Sequence, residues 1–181
     1  MSTYTTPQAV SVASSSGGTP VASTIVLVAA TVLTGMATGV IALYAHTIMP
    51  GLKKTDDQTF VGGFQAIDRA IINPWFMLTF FGALILLGAA GIMHLGADRR
   101  GALPWLAAAF VLYLIAVIIT MAVHVPANDA IDAAGDPARI DVAKVRDAFD
   151  ESRWAVWNGV RLALSFGAFV IVTGVLAIRK H

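Results

Sequence analysis

Trp154, Asn158 and Arg161 stand four and then three residues apart, a spacing that places an indole, an amide and a guanidinium on one face of a helix. An arginine about one turn inside an apolar run is costly unless it meets an anion, a carbonyl oxygen or water, and Asp129, Asp68 and Glu151 are candidate acidic partners. The other reading is a guanidinium that snorkels to the headgroups, with Trp154 and Trp157 as ordinary belt residues at the membrane interface. His124 closes another apolar run two residues before Pro126, which is expected to end or kink that helix. An imidazole there is either a satisfied interfacial side chain or a base working near neutral pH. His46 invites the same choice, and a histidine pair at one depth could ligate haem or copper. No further run of ligands supports a metal, so none is expected. With no cysteine in the chain, disulfides, thiolate metal sites and cysteine nucleophiles are excluded.

These residues need elements that bring them together, and the placement of charge supplies those elements. Of 181 residues 57% are hydrophobic and 13% charged, against about a quarter charged in a soluble domain. Mean hydropathy is +0.75, and the net charge of +1 offers no basic field for nucleic acid. No Lys, Arg, Asp or Glu precedes Lys53, and none lies between Arg69 and Asp98, between Arg100 and Asp129, or between Arg161 and Arg179. Each gap can hold the roughly 20 apolar residues of a membrane-spanning helix. The spans are placed near Val21 to Ile48, Pro74 to Gly96, Leu103 to Val125 and Trp157 to Ile178, which predicts an all-α, four-helix transmembrane bundle over residues 21–181. The short connection at Asp98-Arg99-Arg100 makes the second and third spans antiparallel neighbours. Four consecutive crossings then put the end of span one, the start of two, the end of three and the start of four on one membrane face. Tyr44, His46, Asn73, Trp75, His124, Asn128, Trp154, Trp157, Asn158 and Arg161 all belong to those four ends.

The longer connections carry structure of their own. Phe60, Phe64, Ile67 and Ile71 follow helical spacing and predict a short amphipathic helix, and Asn73-Pro74 reads as a cap and first residue for span two. Between Asp129 and Arg153, Asp136-Pro137 reads as a second helix start, with Val142, Val145 and Phe149 forming an apolar stripe that covers the end of the bundle. Residues 1–20, rich in Ser, Thr, Gly and Pro and without a positive leader region, are expected to be a flexible tail. Gly35 and Gly39 form a G-x-x-x-G pair, either a close-approach face that would suit a homo-oligomer or an incidental pair among small residues.

Orientation rests on two criteria that conflict. The face with Arg99, Arg100, Arg179 and Lys180 has a net charge of +3, while the opposite face has more basic residues but a net charge of −2. Many of the latter sit in acid-paired segments, so both termini are expected on the cytoplasmic side of the cell membrane.

Three strings carry a family resemblance: Phe64-Gln-Ala-Ile-Asp-Arg followed by Asn73-Pro-Trp-Phe-Met77; His124-Val-Pro-Ala-Asn-Asp129; and Trp154-Ala-Val-Trp-Asn-Gly-Val-Arg161. Together they resemble the small four-span membrane proteins of the anthrone oxygenase-like family, over about Thr34 to Ala177. The resemblance implies oxidation of an anthrone-type aromatic polyketide at its activated methylene, with molecular oxygen and no cofactor.

That chemistry would use His124 as general base, with Asn158 and Arg161 stabilising the developing oxyanion as the other two catalytic residues. Trp75, Trp154 and Trp157 would stack on a polycyclic substrate, and Asn73, Asn128 and His46 would complete its binding site. The alternative is a non-catalytic membrane accessory protein, or a four-helix protein that binds a small molecule at the same polar end.

Overall fold

A computed structural model describes residues 20–96 and 100–178. Helix α1 (Pro20–Leu43) passes through a π-helical turn, Tyr44–Ile48, into α2 (Met49–Leu52). Then come α3 (Asp57–Ile71), α4 (Pro74–Met93), a 3-10 turn at Arg100–Ala102 and α5 (Leu103–Ile119). A second π-helical turn, Thr120–His124, leads into α6 (Val125–Ala133), followed by α7 (Val142–Phe149) and α8 (Glu151–Ile178). No strand occurs among the described residues.

Four helical runs are long and apolar enough to cross a membrane: Val21–Leu52, Pro74–Met93, Arg100–Ala133 and Val142–Ile178. The chain is therefore a multi-pass membrane protein, with exposed Ile25, Val32, Ile85, Ile118 and Val170 facing the lipid. In the bundle α1 packs on α4 and α8, while α5 packs on α8 and α4, so the four spans form a closed ring. Small residues make that ring tight. Ala30, Ala37, Ala83, Ala90, Ala109 and Ala168 are fully buried beside Leu27, Leu87, Leu106 and Tyr113, and small side chains let membrane helices approach closely. Gly35 serves the same purpose inside the chain: a Cβ there would come within 2.8 Å of the Phe169 ring on α8.

One end of the bundle is roofed by α3, α6 and α7. Phe60, Phe64, Ile131, Phe149 and Trp154 form a second apolar cluster there, and the Phe64 and Phe149 rings lie 4.7 Å apart. The expected stripes of α3 and α7 both face this cluster. Buried Gln65 donates from Nε2 to the carbonyls of Ile131 (2.9 Å) and Gly135 (3.0 Å), tying α3 to the end of α6.

The capping residues set the starts. The Asn73 side chain accepts from the Phe76 amide at 3.0 Å, with Pro74 at the first helical position. Asp136 does not start a helix. It holds a turn by accepting from the Ala138 amide, and α7 begins later, capped by Asp141, which accepts from Lys144 at 3.1 Å. Asp150, at a φ of 50°, ends α7 in the left-handed conformation that Asp tolerates, and its side chain accepts from the Arg153 amide at the start of α8.

Pro126 does not end its helix, which winds on without a break into α6. It follows the Thr120–His124 turn, whose closing bond runs from the Val125 amide to the Thr120 carbonyl, five residues back. Pro50 follows Tyr44–Ile48 in the same way, with the Met49 amide bonded to the Tyr44 carbonyl. Proline has no N–H to donate and collides with the carbonyl four residues before it. Widening the preceding turn removes that conflict, so both spans run on past the bundle. The expected tail at residues 1–20, apart from the backbone of Pro20, and the orientation-setting residues Asp98, Arg99, Arg179 and Lys180 lie outside the described residues.

Candidate functional site

The helical repeat of α8 explains part of the site. Trp154, Asn158, Arg161, Ser165, Ala168, Val172 and Val175 are buried, alternating four-residue and three-residue spacings that keep one seam facing inward. The outer part of this seam carries the indole, amide and guanidinium, and it borders a cavity of about 260 Å³ beneath the roof. That is near the lower end of the roughly 300–1,000 Å³ typical of small-molecule pockets. Tyr44 from the first π turn, Asp68 from α3, Phe76 and Phe80 from α4, and Thr120 and His124 from the second π turn complete the wall with Asn128 of α6.

Arg161 is 7% exposed. Its Nη2 donates to Asn158 Oδ1 at 2.6 Å and its Nη1 to Thr120 Oγ1 at 3.2 Å, while Nε has no partner. Asn158 in turn donates to the Ile41 carbonyl at 3.4 Å. The guanidinium carbon lies 5.9 Å from the centre of the Trp154 ring, within reach of a cation–π interaction. Among the described residues no carboxylate pairs with it. Glu151 is taken by Arg146 at 2.6 Å, and Asp68 accepts from Asn128 Nδ2 at 2.6 Å. The buried positive charge therefore has neutral hydrogen-bond partners and an aromatic face rather than any of the three candidate acids, which leaves it open to an anionic group on a ligand.

His124 is 1% exposed, and both ring nitrogens lack a hydrogen-bond partner among the described residues. It meets Trp154 edge-on, with ring centres 4.9 Å apart. Trp154 Nε1 donates to Asn128 Oδ1 at 3.0 Å, extending the chain of hydrogen bonds through Asn128 to Asp68. Burial pushes the Asp68 carboxyl above its usual range, against the opposing effect of the bond from Asn128.

His124, Asn128, Trp154 and Arg161 thus meet at one cavity, with Asn158 directly behind Arg161. The structure does not bring the other four sequence candidates there. His46 is exposed and hydrogen-bonded to its neighbour Thr47, so it does not pair with His124. Asn73 is spent as the cap of α4. Trp75 is 79% exposed, about 100° around α4 from Phe76, and Trp157 lies off the buried seam of α8. Phe76 and Phe80 supply the aromatic wall in their place. Those two, together with Thr120, were hidden in the sequence: α4 is apolar on every side, so no stripe marks its inner face. The repeated spacing from Tyr44 to Pro50 and from Thr120 to Pro126 was the available signal for the widened turns.

No curated protein and no solved structure matches the chain. A sequence model of the family described as anthrone oxygenase does match, over residues 75–171. This segment runs from the start of α4 deep into α8 and includes His124, Asn128, Trp154, Asn158 and Arg161. A match over more than half of the 181 residues, on a helical bundle of this kind, establishes that the chain belongs to the anthrone oxygenase family.

Proposed function

We propose that this protein oxidises an anthrone-type tricyclic ketone at its activated methylene, using molecular oxygen within the cavity. The observation that carries this reading is the pairing of a buried guanidinium lacking a carboxylate partner with an imidazole whose nitrogens are both unengaged. A neutral imidazole has one ring nitrogen with a free lone pair, and His124 uses it to take a methylene proton. The electron pair of that C–H bond passes into the ring system, and the ketone oxygen becomes an enolate held by Arg161. Asn158 and Thr120 fix the guanidinium, while Phe76, Phe80 and Trp154 flank the flat rings.

The enolate gives one electron to oxygen, and the resulting radical pair combines into a carbon-bound hydroperoxide after taking up a proton. Loss of the second methylene proton, with departure of hydroxide from the peroxide, forms the new carbonyl. Anthrone and one oxygen molecule become the quinone and one water. The substrate provides every electron, so in this scheme the protein needs no redox cofactor or metal.

Oxygen uptake measured with anthrone on purified protein in nanodiscs, corrected for uncatalysed oxidation, tests the proposal. One oxygen molecule consumed per quinone formed is expected. His124→Ala and Arg161→Met should each lower kcat/KM by about 100-fold or more while eluting as compact species. Wild-type protein no faster than the background, or folded variants with unchanged rates, would overturn it.

A further inference from the structure

The cavity has a buried back and an open rim. Its walls from α1, α3 and α8 are closed, with Ile41, Tyr44, Asp68, Trp154 and Arg161 all buried. At the interfacial end of the cavity Ile72, between α3 and α4, is 63% exposed, and Asp129 of α6 is exposed too. The exposed lining farther in belongs to α4 and to the second π turn: Phe81 is 36% exposed and Met121 is 46% exposed. Both residues lie within helical runs apolar enough to span a membrane, and Phe81 is about 10 Å along α4 from its first residue. Leu78 and Ile85 on α4, and Ile118 on α5, continue the same exposed apolar surface around the opening. Deeper in the bundle, Tyr113 donates to the Phe80 carbonyl at 3.0 Å and closes the seam between α4 and α5.

We infer that Phe81 and Met121 frame a lateral portal through which the ligand enters from the hydrocarbon layer, so the ligand is a neutral, membrane-dissolved aromatic ketone or phenol. Its ring system passes between two apolar side chains, and its oxygen meets Arg161 at the far end. The inference rests on the reading of the cavity as a tricyclic-ketone site for the ligand's identity. The opening within the lipid-facing belt carries the route. A water-borne organic anion would have to shed its hydration shell in the acyl layer before reaching the same guanidinium, which selects against it.

The test uses wild-type protein in phosphatidylcholine nanodiscs and the redox-stable probe 1-hydroxyanthraquinone, with binding followed by stopped-flow quenching of tryptophan fluorescence. The association rate is expected to follow the mole fraction of probe in the bilayer. Phe81→Ala should accelerate, and Met121→Phe slow, association and dissociation together by about fivefold, with Kd moving less than about twofold, because a gate alters passage in both directions. The sulfonated analogue anthraquinone-2-sulfonate should bind far more slowly. A rate that follows aqueous concentration and ignores both substitutions would overturn the portal. Absence of probe binding would overturn both the portal and the proposed substrate class. Gated binding without anthrone turnover would leave the portal standing and overturn only the oxidation.

Discussion

Arg161 and Asp68 carry opposite charges on one cavity, yet each is held by an amide: Asn158 for the guanidinium and Asn128 for the carboxylate. A direct ion pair would have neutralised both and left nothing for a ligand oxygen to displace. Separation has a cost that shows at Asp68, whose carboxyl is raised by burial. The folded state then holds this proton more tightly than the unfolded chain. Its contribution to stability is full below the unfolded value of about 4 and is lost as pH rises through the raised folded value. Asp68→Asn retains an oxygen to accept from Asn128 but removes the titration. Thermal unfolding at stepped pH is therefore expected to show wild type losing stability relative to Asp68→Asn above about pH 4. Parallel curves for the two proteins would contradict the assignment.

Among the elements, the roof depends on one arginine. Arg146 of α7 pairs with Glu151 at 2.6 Å and Asp57 at 3.0 Å, donates to the Thr55 carbonyl at 3.0 Å, and lies 4.3 Å over the Phe60 ring. Arg146→Met removes these bonds while keeping an apolar stem, and should cost about 2–3 kcal/mol. Hydrogen exchange is expected to quicken in residues 53–71 while the amides of α5 and the inner part of α8 stay protected. Uniform protection across the chain would show that the roof does not depend on this residue. The sequence made the four spans legible because charge is excluded from each, and it made α3 legible through Phe60 and Phe64. It also placed Trp154, Asn158 and Arg161 on one face, since a helix starting at Glu151 keeps regular phase through all three. Phase was not legible in α4, where an outward Trp75 and an inward Phe76 look equally apolar. Nor was it legible within the widened turns, where His46 is exposed and His124 buried.

In the whole molecule, the roof and the cavity occupy one end of the bundle, while Arg100 and the far end of α8 lie at the other. The charge balance of the short connection predicts cytoplasmic termini, and on that topology the roof is expected to face the cell exterior. The natural chain has no cysteine, so single substitutions report on this directly. A membrane-impermeant maleimide should label Arg139→Cys in intact cells, and Arg100→Cys only after permeabilisation. The reverse pattern would invert the topology. A further consequence follows from the two π turns, each of which fits one surplus residue into a single coil. Because each turn already takes up its extra residue locally, trimming one position from Thr120–His124 would restore regular winding and leave Asn128 and everything after it close to their present phase. Length variation inside a membrane helix ordinarily wrecks it. At this point it would instead be absorbed locally, disturbing the chamber wall at Thr120 and His124 while the outer canopy keeps its seat on the lipid-embedded barrel.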